Sequence, residues 1–143
     1  MFGEFPLNES LVMAQRSIAD FRYIKQTISG KSSRFLASSA EKRYQESKEW
    51  LDEILQQCNP LATVVVTHFP PHSQLLHGVI PKDILSNYFI ANCDNLIDKY
   101  HPKQWIYGHN HWSDKKRIGE TLLISNQLGY PEEKDYMPEF TYD

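Results

Sequence analysis

Apolar and polar positions divide the chain into segments of two periods. Asn8 or Ser10 is placed to cap a short helix running through Leu11, Met13 and Ile18. The residues before it, Met1 to Leu7, carry Gly3 and Pro6 without periodicity and read as loop. Phe21-Arg22-Tyr23-Ile24 alternates well enough for a short strand, and the Ser, Gly and Lys of 29–33 read as a loop. Ser38 and Glu41 then stand at capping-box spacing. Behind them Tyr44, Leu51, Ile54, Leu55 and Cys58 recur as one apolar helical face, with Glu46, Glu49 and Glu53 on the side toward water, and Pro60 ends the element.

The second half of the chain changes character. Thr63 to Thr67 is a β-branched run without alternation, the pattern of a strand buried on both faces. It stops at His68-Phe69-Pro70-Pro71-His72, and a loop continues through Leu75, Leu76, His77, Gly78 and Pro81. Residues 86–100 predict a helix, with Phe89, Ile90, Cys93, Leu96, Ile97 and Tyr100 at helical spacing; His101-Pro102 breaks it. Trp105-Ile106-Tyr107 reads as a buried strand, followed by Gly108 to turn the chain. Lys115 to Ile118 and Thr121 to Ser125 flank Gly119-Glu120 as a hairpin, Gly129-Tyr130-Pro131 is a turn, and 138–143 includes a short final strand. Helix, strand, helix, strand and hairpin in this order make a layered α/β domain.

Composition narrows the class. A chain of 143 residues, 41% apolar and 13% aromatic, is one globular domain with a real core. Net charge is -3 and Lys115-Lys116-Arg117 is the densest basic cluster, so the footprint of a nucleic-acid binder is missing. Cys58 and Cys93 form neither a C-x-x-C nor a disulfide framework. The apolar run Ala62 to Val66 is far too short for a membrane span, and no basic-then-apolar leader is visible. These features predict a cytoplasmic protein without a membrane partner.

The candidate chemistry lies in histidine. His109-Asn110-His111 follows the strand and glycine, and an H-x-H pair on a rigid strand end can present two ligands to one metal or one to each of a close pair. His68 follows the other strand in the position where α/β sheets place ligand groups. His72 and His77 are weaker candidates for touching an anionic substrate from the loop. The alternative for each is a solvated or structural histidine.

Two strands that end in T-H-F-P-P and G-H-N-H give the chain a resemblance to the calcineurin-like metallophosphoesterases. It is most similar to a bacterial-type phosphohydrolase subgroup with D-[FY]-R-x-I, W-L, V-V-V-T-H-x-x-P, W-I-x-G-H-x-H and N-x-x-G-Y-P in that order. These match Asp20 to Ile24, Trp50-Leu51, Val64 to Pro71, Trp105 to His111 and Asn126 to Pro131. The resemblance implies the C-terminal part of a layered α-β-β-α sandwich, with His68 and His109 on a second metal and His111 on a first. It implies hydrolysis of a phosphoric ester by a metal-activated hydroxide. Two divalent ions (Mn, Fe or Zn) held roughly 3.5–4 Å apart would polarise the phosphoryl group and acidify water. Phosphomonoesters, phosphodiesters, nucleotides and phosphoproteins all fall within the family.

The family's other ligand motifs, D-x-H, G-D-x-x-D and G-N-H-[DE], occur nowhere in this sequence. Residues 1–143 therefore read as a single phosphoesterase domain truncated at its N-terminal side, with an incomplete metal site. Half of such a sandwich would leave apolar sheet faces and strand edges open, so association with a second copy or with the missing half is expected. Two alternatives stand beside activity: a catalytically inactive remnant or scaffold, and one structural zinc held by His68, His109 and His111.

Overall fold

A computed structural model describes residues 7–76, 84–133 and 136–138. The chain is mixed α/β; among the described residues it has a four-stranded sheet, a separate two-stranded hairpin, and helices packed against them. Among the described residues no helix is long and apolar enough to cross a membrane.

Helix α1 (Leu7–Ser17) begins before either predicted cap; Ser10 lies inside it, buried, and accepts from Asn87 Nδ2 at 3.0 Å. Phe21 to Tyr23 of the expected strand over 21–24 instead lie in a single helical turn, α2 (Asp20–Tyr23), with Ile24 extended behind it. Here tertiary packing overrides local pattern: Phe21 turns inward to stack on Phe35 and meet Tyr88 edge-on. The loop expected over 29–33 is the tip of a hairpin, β1 (Lys25–Ile28) against β2 (Lys31–Arg34). Ser29 and Gly30 at its turn both have positive φ, as a two-residue type I′ connection requires.

Helix α3 (Ala37–Leu55) is the predicted long helix, but the capping box does not form. Its first amide is satisfied from outside, Ala37 N donating to Gln15 Oε1 at 2.8 Å. Glu46, Glu49 and Glu53 face water as expected. The helix joins two cores. Its start packs with Ala14 and Phe21; its end, through Leu51 and Leu55, packs on the larger sheet.

That sheet comprises β3 (Val64–Val66), β4 (Gln104–Ile106), β5 (Asp114–Ile118) and β6 (Thr121–Ser125), in the order β3-β4-β6-β5. β3, β4 and β6 run parallel, and β5 returns antiparallel to β6 through the predicted hairpin. Val65, Trp105 and Leu123 are in register across it and form the floor of the main core with Leu96 and Ile97. Trp105 is 0% exposed. β3 departs from its expectation: it lies at the margin of the sheet, and Val66 is 70% exposed. A β-branched run is equally compatible with an edge strand whose outer face is bare, and sequence cannot separate the two.

The helix expected over 86–100 is two pieces, α4 (Ser86–Phe89) and α5 (Asp94–Tyr100). Between them Ala91 N and Cys93 N donate to the carbonyls of Pro70 and Pro71 at 2.9 and 2.7 Å, and Asn92 takes φ 45°. The loop after β3 thus competes successfully for amides that a continuous helix would have used. α5 ends where expected, with His101 in the left-handed conformation before Pro102. Of the expected final strand, only residue 138 lies within the described residues, and it stands in a turn.

Candidate metal centre

Because β3, β4 and β6 are parallel, their carboxyl ends open on one side of the sheet. This places His68, His109 and the pair Asn126-Gln127 at a common edge. The chain is held there by backbone bonds that continue the ladder: Thr67 N donates to Ile106 O, Tyr107 N to Ile124 O, and Gly108 N to His68 O. Trp105 Nε1 donates to Thr67 Oγ1 at 3.0 Å, and the same hydroxyl donates to Phe69 O at 2.8 Å. The buried indole therefore fixes the turn that carries His68.

The left-handed backbone of the second turn falls on its histidines, not on its glycine. His109 has φ 74° and His111 φ 53°, whereas Gly108 has no positive φ. Each such conformation costs a non-glycine residue about 1–3 kcal/mol, and it persists only where the surroundings hold it. Gln127 supplies much of that hold. Its Oε1 accepts from His111 N at 3.0 Å, and its Nε2 donates to Asn110 Oδ1, Trp112 O and Ser125 Oγ.

His68 and His109 meet directly, with Nε2 of the first 3.1 Å from Nδ1 of the second. Two imidazole nitrogens bound to one tetrahedral zinc would stand at a similar separation, about 3.4 Å, given Zn–N bonds of about 2.1 Å. Phe69, Phe89 and Tyr88 surround the His109 ring, the first at 4.2 Å between centroids. Among the described residues its Nε2 is buried without a hydrogen-bond partner. Burial, then the neighbouring His68 and His111, push the His109 imidazole down to about 4, so it is neutral near pH 7. Neutral imidazole is the form that ligates metals.

His111 makes its own contacts. Its Nδ1 lies 2.9 Å from Glu133 Oε2, and Tyr130 packs edge-on against its ring at 4.6 Å. Among the described residues no three His, Cys, Asp or Glu side chains converge as a metal-holding group. The donors fit part of a metal shell: His68 and His109 together in type and spacing, and His111 through the ring nitrogen that Glu133 does not engage.

His72, expected as a weak substrate contact, is buried and spent internally. Its Nδ1 accepts from Gln74 N at 3.1 Å and its Nε2 lies 3.1 Å from Asp94 Oδ1, tying the loop to α5. His77 lies outside the described residues. Sequence reading missed Gln127 and Glu133. The only signal for Glu133 was an acidic pair directly after the Gly129-Tyr130-Pro131 turn, and a turn that doubles back can return a carboxylate to the strand ends.

No protein-family model matches the chain, and no solved structure matches it. It is similar to an uncharacterized protein of Acanthamoeba polyphaga mimivirus, 25% identical over 141 residues covering 89% of this chain and 47% of the viral protein. The chain spans about half the length of that curated relative.

Proposed function

We propose that this chain contributes the C-terminal half of a metal-dependent phosphoesterase of the calcineurin-like sandwich type. In this reading His68 and His109 serve one divalent ion and His111 another, with the remaining ligands supplied by polypeptide other than these residues. The observation that carries the proposal is the meeting of His68 and His109 at 3.1 Å from two adjacent parallel strands. Supporting it are the left-handed backbone at both histidines of the G-H-N-H turn and the neutral state of His109. The bound metals would supply Lewis acidity toward a phosphoryl oxygen and acidify water. The chain's own residues hold the imidazoles: Thr67 and Trp105 set the His68 turn, and Gln127 sets the His109–His111 turn.

An inactive remnant of the same fold is the second reading, since D-x-H, G-D-x-x-D and G-N-H-[DE] occur nowhere in this sequence. The two separate in one experiment. The protein is purified from its own cells with its associated polypeptides and assayed on an aryl phosphomonoester and phosphodiester with manganese, beside His109→Ala. Manganese-dependent turnover lost in the variant is expected. Turnover absent from the wild-type preparation, or unchanged by the substitution, contradicts the active reading.

A further inference from the structure

We propose that Glu133 is the positioning residue for His111, fixing which of its ring nitrogens is presented as a ligand. The inference deepens the reading above and rests on it for the role of His111.

Glu133 is brought to the strand ends by the turn at 129–132. Its Oε2 accepts from Tyr130 N at 2.6 Å and lies 2.9 Å from His111 Nδ1. An ionised carboxylate only accepts, so Nδ1 of His111 must carry the proton. A neutral imidazole protonated at Nδ1 leaves Nε2 as a bare lone pair. One carboxylate oxygen thus chooses the tautomer.

Two further features show that the carboxylate has a built seat. Gly129 has φ 67°, and a Cβ at that position would run into the Glu133 carboxylate. Tyr130 then covers the ring on a second side, its plane 76° from that of His111. The ring is restrained both in rotation and in protonation. Carboxylates behind ligating histidines act in this way, and losing one weakens metal binding about 10–100-fold.

The test reads the tautomer of His111 in the metal-free protein by nitrogen-15 NMR at about pH 8, above the ordinary imidazole range. The wild type is expected to be protonated at Nδ1. Glu133→Ala is expected to move the ring toward the Nε2-protonated form and weaken manganese binding about 10–100-fold. Glu133→Gln should keep the Nδ1 proton, since the amide oxygen still accepts, and restore most of the affinity. A wild-type ring protonated at Nε2 would overturn the inference whatever the variants do. So would a Glu133→Ala protein whose tautomer and manganese affinity are unchanged. Because the tautomer is read without metal or substrate, it stands or falls separately from phosphoesterase activity.

Discussion

Nε2 of His68 and Nδ1 of His109 lie 3.1 Å apart although they stand 41 positions apart in the chain. Parallel pairing of β3 with β4 brings the two side chains together, and on the proposed reading they serve one ion. Their substitutions should then be coupled. In a double-mutant cycle on zinc affinity, His68→Ala and His109→Ala are each expected to cost most of the binding, and the pair little more than either. His68→Ala with His111→Ala should be nearly additive, because His111 turns to Glu133 instead. Isothermal titration reads both cycles. Additive losses at His68 and His109 would mean that they do not share an ion.

Backbone strain at the second turn can be separated from side-chain chemistry. His111→Gly and His111→Ala both remove the imidazole, but only glycine relaxes at φ 53°. An alanine there costs about 1–2 kcal/mol, against about 0.5–1 kcal/mol of extra chain entropy lost by glycine. The glycine variant is therefore expected to be more stable than the alanine variant by about 0.5–1 kcal/mol in urea unfolding. Equal stabilities would mean that the turn is not strained.

Thr67 links the core to the site through one hydroxyl. Thr67→Val keeps the shape but leaves Trp105 Nε1 without its acceptor and Phe69 O without its donor. Leaving the buried indole unpaired is expected to cost about 1–3 kcal/mol. Zinc affinity should fall as well, since the His68 turn loses its anchor. A stability loss with unchanged affinity would show that the turn is held by other contacts.

The pH dependence of stability has a contributor away from the site. The Tyr100 hydroxyl at 2.7 Å, then Lys99 at 3.0 Å, hold the Asp52 carboxyl below its ordinary range and join α3 to α5. A depressed carboxyl means that the unfolded chain binds a proton before the folded one. Its stabilisation is thus complete above the ordinary carboxylate value, about 3.9, and is lost as pH falls through the lower folded value. Asp52→Asn should be less stable than wild type at pH 7, with the difference shrinking below about pH 4. Urea midpoints measured across that range check it.

The sheet and its hairpin were legible because their signals were strong and local: a β-branched run at Val64–Val66, a buried aromatic at Trp105, and Gly119 at a two-residue turn. What escaped depended on partners remote in sequence. Phe21 joins a helical turn because Phe35 and Tyr88 wait for it, and the helix over 86–100 breaks because Pro70 and Pro71 offer carbonyls. Ala37 takes its cap from Gln15, 22 residues away, and no S-x-x-E count could reveal that. At the site, His68 and His109 were visible as strand-end histidines. The diversion of His111 to Glu133 and of His72 to Asp94 was not, since each depends on a loop returning from elsewhere.

On the proposed reading the strand ends share an ion at His68 and His109. Crystals of the protein soaked in zinc and measured across the zinc absorption edge test it most directly. An anomalous peak within coordination distance of both His68 and His109 is the predicted result. Zinc bound only elsewhere, with those two rings still joined by a direct hydrogen bond, would rule out a shared ion.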